Sequence, residues 1–358
     1  MGLALTSSEL IARARGDLRA GAPVVVGNHL VIAAEVLAKH RFEALKSLNC
    51  PLTLALSRHR ANTLKIRSYD GDVARMIVPA DAESTWVRAM ADPTLDLRHP
   101  MKGPVSSIRD GDAADALCAV VLVKSARLLP AAMLAPVAAV APEDTSGLCH
   151  LSLDALRSEA VRQHIFEPIV SAKLPLSAHP EGRLHVFQSD DGTEEHYAIE
   201  IGAPDRSAPV LSRLHSACFT GDLLGSLKCD CGPQLRAALA MMGSEGHGIL
   251  LYLNQEGRGI GLTNKMRAYA LQDQGFDTVD ANHRLGFEDD ERDFRIGASL
   301  LKRLGFHAVR LLTNNPAKMK MLQENGVGVV ERVPLKVGLT KENARYLATK
   351  AERSGHLL

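Results

Sequence analysis

The chain has 358 residues, of which 46% are hydrophobic and 23% are charged, and its 42 basic and 41 acidic side chains leave a formal net charge of +1. This length allows two domains with full cores. With a net charge near zero, the chain lacks the positive electrostatic potential that attracts nucleic acid or anionic membranes. We therefore expect neither of them to be a binding partner. The absence of a long apolar run and the early charges at Glu9, Arg13 and Arg15 predict a cytoplasmic protein without a signal peptide.

Short apolar runs alternate with helix-like stretches in the first 137 residues, which is typical of an α/β unit. We interpret the apolar runs as strands; the runs and the clearest helix-like stretch are Pro23–Val26, Leu52–Leu56, Leu117–Val123 and Glu9–Ala20. The alternation of apolar runs and helix-like stretches becomes irregular over residues 138–170. We interpret this stretch as a linker that contains a short helix over Ser152–Ile165.

Residues 171–358 alternate strand and helix more regularly. The pattern predicts strands over Gly248–Leu253 and Ala308–Leu312, and helices over Leu262–Gln274 and Arg292–Leu304. We therefore expect a mixed α/β protein of two domains, each a sheet with covering helices.

Three of the six cysteines, Cys218, Cys229 and Cys231, lie within fourteen residues. In a cytosolic chain such a cluster indicates metal binding or chemistry rather than crosslinking. Three thiolates can hold one zinc ion and leave its fourth position open to water, which is the arrangement of catalytic sites. Two alternatives stay open: a structural zinc completed by His215, and cysteines that pack as small apolar side chains.

A glycine-rich segment follows the predicted strand that ends at Leu253. It runs from Asn254 to Lys265, with glycines at 257, 259 and 261, and Arg258 and Lys265 add positive charge. Backbone amides and a helix N-terminus can together bind phosphate. A glycine-rich loop alone is equally typical of a tight turn.

A third segment follows the predicted strand that ends at Leu312. Asn315 and Pro316 are typical of a helix cap and a first helical residue. Capping does not require Thr313 and Lys318, so phosphate contact is the second interpretation. The acidic cluster Glu288–Asp293 precedes another predicted helix, where such residues ordinarily interact with the helix dipole.

Taken together, these segments resemble GTP cyclohydrolase II, a hydrolase of cyclic amidine C–N bonds that opens the guanine ring of GTP in the first step of riboflavin synthesis. The resemblance covers about Ser171 to Leu358. It rests on five segments in order: SLKCDCG at 226–232, NQEGR at 254–258, RAYALQD at 267–273, LTNNP at 312–316 and TKAERSGHLL at 349–358. One departure is Ala217, because the family usually reads Arg-Val-His-Ser-Glu-Cys where this chain has Ala before Cys218.

The resemblance implies a homodimer that binds one zinc ion per chain through Cys218, Cys229 and Cys231 plus water. It implies Asp290 as a proton acceptor, Arg292 as a nucleophile and Tyr269 at the active site; a positioned, protonated Arg292 can equally act as an electrostatic clamp. The positions that match the family's GTP-binding residues are Arg213, Leu214, His215, Ser216, Ala217, Gln234, Glu256, Gly257, Arg258, Thr278, Thr313 and Lys318.

The implied reaction releases formate and pyrophosphate, with Mg²⁺ on the substrate phosphates, and gives 2,5-diamino-6-(5-phosphoribosylamino)pyrimidin-4(3H)-one. Two alternatives stay open. One is a cyclohydrolase homologue with an altered product or purine substrate, which Ala217 suggests. The other is a non-catalytic nucleotide sensor stabilised by zinc.

Residues 1–137 show a fainter resemblance to 3,4-dihydroxy-2-butanone 4-phosphate synthase, in the segments Leu18–Val26, Ala33–Glu35 and Leu128–Met133. Where that family carries a long acidic loop for magnesium and sugar phosphate, this chain has Gly27-Asn28-His29, and Asp112–Leu117 lacks the family's later histidine ligand. Without hard oxygen ligands magnesium has little to bind. We therefore expect a non-catalytic domain that serves as a scaffold, a dimer surface or a regulatory module.

Overall fold

The protein is represented by a computed structural model that describes residues 3–192, 194–341 and 343. These residues form two compact units. The first contains the chain up to Arg162 and also Thr263–Glu291; the second contains Gln163–Leu262 and the chain from Arg292 onward. The last family-like segment, residues 349–358, lies outside the described residues.

The described residues contain fourteen strands and twelve α-helices. The strands are β1 (Val24–Val26), β2 (His29–Ala33), β3 (Thr53–Ser57), β4 (Val73–Ile77), β5 (Ser106–Ser107), β6 (Ala131–Pro136), β7 (His150–Leu151), β8 (Phe166–Lys173), β9 (Gly182–Ser189), β10 (Glu195–Ile201), β11 (Val210–Ser216), β12 (Gly248–Leu253), β13 (Ala308–Leu312) and β14 (Gly328–Val333). The helices are α1 (Ser7–Arg19), α2 (Lys39–Ser47), α3 (Arg58–Thr63), α4 (Ser84–Ala91), α5 (Ala114–Ser125), α6 (Pro142–Thr145), α7 (Leu153–Val161), α8 (Cys231–Glu245), α9 (Leu262–Asp273), α10 (Thr278–Leu285), α11 (Arg295–Arg303) and α12 (Pro316–Glu324).

The first unit contains a seven-stranded sheet in the order β5-β4-β3-β6-β2-β1-β7. All neighbours are antiparallel except β1 and β7, which are parallel. Helices α1, α5 and α7 pack together beside this sheet and bury apolar side chains such as Ile11, Leu18 and Val123 against it. The predicted class, a mixed sheet with covering helices, is confirmed for this unit.

The prediction of a strand over Leu117–Val123 is wrong, because these residues lie in helix α5. The helix is buried on most sides and exposes only Leu117 and Val121 among its large apolar residues. A helix that is apolar nearly all round shows no 3.6-residue periodicity, so its sequence cannot be told from that of a buried strand.

The stretch predicted as a linker, residues 138–170, differs from that description in the structure. Its short helix is α7, which begins after the capping residue Ser152 and ends at Val161. Strand β7 on one side of it pairs with β1, and β8 on the other side starts the second sheet at Phe166. Strands this short or this exposed give little hydrophobic signal in the sequence; of the eight residues of β8 only Phe166 is buried.

The turn between β1 and β2 consists of Gly27 and Asn28 alone. The carboxylate of Asp115, from the first turn of α5, accepts a hydrogen bond from the Asn28 amide at 2.9 Å and lies 2.6 Å from His29 Nδ1. A Cβ at Gly27, where φ is +55°, would lie 2.5 Å from Asp115 Oδ1. This carboxylate therefore closes the turn and requires glycine at position 27.

The second unit contains a seven-stranded sheet in the order β14-β13-β11-β12-β10-β9-β8. Strands β14, β13, β11 and β12 are mutually parallel neighbours, and the remaining pairs are antiparallel. The predicted strands over Gly248–Leu253 and Ala308–Leu312 are confirmed as β12 and β13. Helices α11 and α12 bury Ile296, Leu300 and Leu322 in the core of this unit.

Two helix predictions are confirmed with small differences in length. Helix α9 begins at the predicted Leu262 and ends at Asp273, and α11 covers Arg295–Arg303 inside the predicted Arg292–Leu304. The later start of α11 has a local cause, because the Asp293 carboxylate accepts a hydrogen bond from the Arg295 amide. Within the described residues, no helix has both the length and the apolar character needed to cross a bilayer.

Replacing Gly202 tests how closely the second unit is packed at the end of β10. Gly202 has φ of +63°, and a Cβ there would lie 2.1 Å from the carbonyl oxygen of Gly246. Gly192 also has positive φ, +70°, but a Cβ there meets nothing within 4 Å. We expect Gly202→Ala to destabilise the protein by about 1–3 kcal/mol more than Gly192→Ala. Calorimetric unfolding of the two variants measures this difference, and equal transitions would show that the backbone at Gly246 relaxes freely.

Candidate active site

The three predicted site segments follow three adjacent parallel strands. Strand β11 lies between β12 and β13, and all three run in the same direction. The segments that begin at Ala217, Asn254 and Thr313 therefore leave the sheet at the same edge, which is where α/β sheets usually bind ligands. The Ala217 amide donates to the Leu253 carbonyl oxygen at 2.7 Å and joins the first two of these segments.

Cys218, Cys229 and Cys231 converge beyond this edge. Cys218 follows β11, Cys229 closes the loop, and Cys231 begins α8. Their Sγ atoms all lie within 4.8 Å of one another, and those of Cys218 and Cys229 are 3.4 Å apart. A tetrahedral zinc ion with bonds of ~2.3 Å places its sulfur ligands about 3.8 Å apart, so the three cysteines fit such an ion.

Two glycines make room for this cluster. A Cβ at Gly221 would lie 3.0 Å from Cys229 Sγ and 3.1 Å from Cys218 Sγ. A Cβ at Gly232 would lie 2.0 Å from the carbonyl oxygen of Gly221. Any larger residue at either position would push the loop away from the sulfur atoms.

Backbone amides point at the sulfur atoms as they do at thiolates. The amide of Gly221 donates to Cys218 Sγ and that of Cys231 donates to Cys229 Sγ, each at 3.3 Å. The neighbouring Cys218 thiol, together with burial, raises the pKa of Cys229 to about 12 and raises the pKa of Cys231 well above its ordinary value. Three sulfurs at these distances cannot all ionise without a cation, and a divalent ion bound among them removes the repulsion.

Asp222 connects the cysteine loop to the sheet. Its Oδ2 accepts hydrogen bonds from the Cys218 amide and the Tyr252 hydroxyl at 3.0 Å each, and it lies 3.0 Å from His215 Nε2. Burial lowers the pKa of His215 and raises the pKa of Tyr252. His215 Nε2 is directed at Asp222, and among the described residues neither ring nitrogen of His215 belongs to the group of ligand atoms formed by the three cysteines. Asp222 was not predicted from the sequence, although its position four residues after a predicted metal-binding cysteine is a signal for a supporting carboxylate.

Arg213 is a buried cation beside the same strand ends. Its guanidinium donates to the Leu312 carbonyl oxygen at 3.2 Å and to Gln234 Oε1 at 2.6 Å, and Gln234 in turn donates to Asp230 at 2.6 Å. Burial lowers the pKa of Arg213 to about 10, so the group stays protonated at neutral pH. Among the described residues no hydrogen-bond acceptor reaches its buried Nε, nor does a partner reach the buried Nδ1 of His215. The hydrogen-bonding capacity of both atoms is therefore unused within the described residues.

Two further cations share one aromatic ring. The guanidinium carbon of Arg292 lies 4.7 Å from the ring centroid of Phe294, and the Lys318 ammonium lies 4.8 Å from it. Arg292 also donates to Ser216 Oγ at 3.4 Å, and Lys318 donates to the Leu214 carbonyl oxygen at 2.8 Å. Phe294 was not predicted from the sequence, because a lone aromatic residue in an acidic segment shows no sign of the cations that pack on it.

The glycine-rich loop forms a tight turn with left-handed φ values of 62°, 61° and 94° at Gly257, Arg258 and Gly259. The amides of residues 257, 259 and 261 donate to the Glu256 side chain, the Gln255 carbonyl and the Glu256 carbonyl. The loop itself thus uses these three donors. The other carboxylate oxygen of Glu256 accepts a hydrogen bond from the Phe219 amide and ties this loop to the cysteine loop.

The start of α12 confirms the predicted cap. Asn315 accepts a hydrogen bond from the Ala317 amide through its side chain, and Pro316 is the first helical residue. Thr313 is buried, and its hydroxyl accepts a hydrogen bond from the Asn315 amide at 3.0 Å. Thr313 therefore has a local role in shaping the turn that precedes Lys318.

Three predicted site residues belong to the first unit: Tyr269 on α9, Thr278 at the start of α10, and Asp290 after it. The Lys265 ammonium lies 5.9 Å from the ring centroid of Tyr269, and the Thr278 hydroxyl accepts a hydrogen bond from Gln272 at 3.2 Å. The other predicted residues, including Leu214, Ser216, Ala217 and Arg258, belong to the second unit.

Comparison with known proteins gives three findings. A family model described as GTP cyclohydrolase II matches residues 167–334. A protein named GTP cyclohydrolase-2 from Azospirillum brasilense is 41% identical over 360 residues, which cover 99% of this chain and 92% of that protein. Proteins of the same name from Azotobacter vinelandii and Escherichia fergusonii are 55% and 61% identical over 192 residues, which cover 53% of this chain and 91% and 96% of those proteins.

A solved structure of a two-domain 3,4-dihydroxy-2-butanone 4-phosphate synthase from A. baumannii covers 92% of this chain and 100% of its own at 16% sequence identity, with a TM-score of 0.32. A score this low supports no argument about fold or function.

Replacing Asp222 tests its role as a support for the cysteine cluster. We expect Asp222→Ala to weaken the binding of a metal ion at the three cysteines about 10–100-fold, because the Cys218 amide and His215 lose their shared partner. Tyr252→Phe removes only one of the three contacts and is the matched control, for which we expect a smaller loss. Competition with a chromophoric chelator measures both affinities. Equal metal affinity in Asp222→Ala and the wild type would contradict the supporting role of Asp222.

Proposed function

Because the chain belongs to the GTP cyclohydrolase II family, we propose that it hydrolyses GTP in a zinc-dependent reaction that opens the imidazole ring. The products are formate, pyrophosphate and 2,5-diamino-6-(5-phosphoribosylamino)pyrimidin-4(3H)-one, at the start of riboflavin synthesis. The observation that carries this proposal is the convergence of three cysteine Sγ atoms within 4.8 Å, in the same unit as the buried cation Arg213.

Cys218, Cys229 and Cys231 hold the zinc ion in this proposal. When bound by three protein ligands, zinc supplies an activated water in its open fourth position for hydrolysis of the imidazole ring. The amides of Gly221 and Cys231 stabilise the sulfur atoms in their charged form through the hydrogen bonds described above. The hydrogen bond between Asp222 and His215 Nε2 occupies that ring nitrogen, so it would not be a ligand of the ion.

Arg213, Arg292 and Lys318 bind the triphosphate of GTP in this proposal, together with Mg²⁺ on the phosphate oxygens. Arg213 offers its unpartnered Nε, and Thr313 and Gln234 shape the surroundings of Lys318 and Arg213. The other matched positions, Leu214 to Ala217 and Glu256 to Arg258, belong to the ends of β11 and β12, where the purine lies near zinc in this proposal.

Arg292 acts as an electrostatic clamp in this proposal rather than as the covalent nucleophile. Its guanidinium packs on the face of Phe294, a contact that favours the protonated, positively charged form. A protonated guanidinium is a poor nucleophile and a good donor to the charge that develops on a phosphate group during cleavage.

The roles of three residues in the first unit rest on the family resemblance. We assign a GTP contact to Thr278, proton transfer to Asp290 and an active-site position to Tyr269. On the same basis we propose a cytoplasmic homodimer, a cyclohydrolase domain over residues 171–358, a connecting stretch over 138–170, and a non-catalytic synthase-like domain over 1–137. The two-residue turn closed by Asp115 supports the last point, because it leaves no acidic loop for magnesium.

One specific observation favours a second candidate. Ala217 stands where the family usually has glutamate, directly before a zinc-binding cysteine. Its amide still bonds to Leu253, so the backbone path is kept while a carboxylate is lost. A homologue that cleaves the ring but keeps the formyl group, or that accepts another purine nucleotide, would share every other feature of the site.

Incubation with GTP, Mg²⁺ and zinc tests the proposal, with formate, pyrophosphate and the pyrimidine assayed separately. We expect all three products. Pyrophosphate without formate favours the homologue with an altered product. If neither formate nor pyrophosphate is released although GTP binds tightly, the non-catalytic nucleotide sensor is favoured.

Cys229→Ser should lose zinc and formate release together, because two thiolates do not hold the ion. Cys50→Ser removes a cysteine outside the cluster and should keep both zinc and formate release.

Replacing Phe294 tests the proposed role of Arg292 as an electrostatic clamp on the phosphates. Phe294→Leu keeps an apolar side chain but removes the aromatic face from both cations, and we expect kcat/KM for GTP to fall about five- to thirtyfold. Phe294→Tyr keeps the ring and should retain nearly full activity. Zinc content should stay unchanged in both. Equal kinetics in the leucine and tyrosine variants would show that the ring acts only by filling space.

A further inference from the structure

The segment Thr263–Glu291 belongs to the cyclohydrolase half by sequence but to the first unit by structure. We propose that the N-terminal part of the chain, residues 3–162, acts as a positioning scaffold for this segment, and that turnover depends on the contacts that hold it. This inference rests on the proposed function, because the segment carries Tyr269, Thr278 and Asp290.

Arg267 anchors the beginning of the segment. Its guanidinium donates to Glu35 Oε1 at 2.8 Å and lies 3.2 Å from Asp92 Oδ2. The exposed fractions of the Arg267, Glu35 and Asp92 side chains are only 19%, 12% and 17%. The second oxygen of Glu35 accepts a hydrogen bond from the Leu129 amide at 2.7 Å, so the carboxylate is itself fixed to the backbone just before β6. Removing one partner of such a shielded pair leaves an uncompensated charge.

Asn264 adds a neutral contact next to Arg267. Its side chain is fully buried, donates to the Arg127 carbonyl oxygen at 2.9 Å and accepts a hydrogen bond from Arg267 at 2.7 Å. Arg127 has a left-handed φ of 62°, so its carbonyl is presented by an unusual turn after α5. The first turns of α9 are thus fixed by both charged and neutral hydrogen bonds.

His59 anchors the end of the segment. Its ring stacks on that of His283 with centroids 4.1 Å apart and an interplanar angle of 10°, and its Nε2 lies 3.0 Å from Glu288 Oε2. The Lys124 ammonium donates to Glu291 at 3.1 Å, one residue beyond Asp290. These contacts bracket the acidic stretch that carries the proposed proton acceptor.

The backbone approaches closely between these anchors. Gly286 ends α10 with φ of +93°, and a Cβ there would lie 2.6 Å from Ser57 Oγ and 3.4 Å from both Arg60 Cβ and Pro130 Cδ. Helix α10 packs against α3, and the apolar side chains Leu285 and Phe287 are completely or almost completely buried. Charged, aromatic and close-packed contacts with residues 3–162 therefore hold the segment, as expected for a permanent structural contact.

Hydrogen–deuterium exchange in the full-length, zinc-loaded chain tests the scaffold. Glu35→Gln removes the main partner of Arg267, and His59→Ala removes the anchor at the other end. We expect about tenfold faster exchange over residues 264–271 in the first variant and over 283–289 in the second. In both, kcat for formate release should fall while zinc content stays at one per chain.

Asp70→Asn is the matched control. Asp70 pairs with Arg75 at 2.8 Å, and its exposed fraction of 13% is close to that of Glu35. The hydrogen bonds that the structure gives for Arg75 go to Asp70 and to the backbone of residues 110–112, not to the segment. We expect its exchange to change near residues 70–75 only, with kcat preserved. Unchanged exchange over 263–291 in both test variants, or the same change in Asp70→Asn, would overturn the scaffold.

Hydrogen–deuterium exchange and formate release together distinguish a failure of the proposed function from a failure of the proposed scaffold role. If the wild-type chain releases no formate, the proposed function fails, and the exchange data alone still decide whether the segment is held. If exchange accelerates while kcat is unchanged, the holding contacts exist but the dependence of turnover on them is refuted.

Discussion

Parallel pairing of β11 with both β12 and β13 is the constraint on which the candidate site depends. Because the three strands run in one direction, the segments after Ser216, Leu253 and Leu312 emerge side by side although they are far apart in sequence. Hydrogen bonds that cross from one strand end to the next, from Ala217 to Leu253 and from Arg213 to Leu312, fix their spacing. The cysteine loop then closes onto this fixed edge through Asp222 and Glu256.

The near-neutral net charge of the chain conceals an uneven arrangement of charge within the second unit. Arg213 is buried and keeps its proton because Cys231, Asp230 and Asp222 oppose the effect of desolvation on its pKa. Arg292 and Lys318 are half-buried and share the face of Phe294. Cations held in this way need little reorganisation when they meet an anionic ligand, which is the electrostatic preorganisation that favours catalysis on phosphates.

Within the first unit, residues 3–162 pack with the segment Thr263–Glu291. Glu35 follows β2, Asp92 follows α4 and His59 lies on α3. Together they hold a segment of the cyclohydrolase half of the sequence. The family does not require such an N-terminal part, because shorter relatives are matched over nearly their whole length by about half of this chain. The relative from Azospirillum brasilense matches almost the entire chain, so the longer arrangement is not peculiar to this sequence.

The sequence by itself determined the features that depend on neighbouring residues: the cysteine spacing, the cap formed by Asn315 and Pro316, strands β12 and β13, and most of helix α9. These signals lie within a few residues of one another, so propensity and periodicity suffice to detect them. Only the tertiary structure decided that Leu117–Val123 is helical, that Asp222 and Phe294 support the site, and that Thr263–Glu291 packs with the N-terminal part. Leu117–Val123 and Thr263–Glu291 pack against residues distant in sequence, and the roles of Asp222 and Phe294 depend on their contacts with Tyr252 and Lys318 from other elements, which the local pattern does not show.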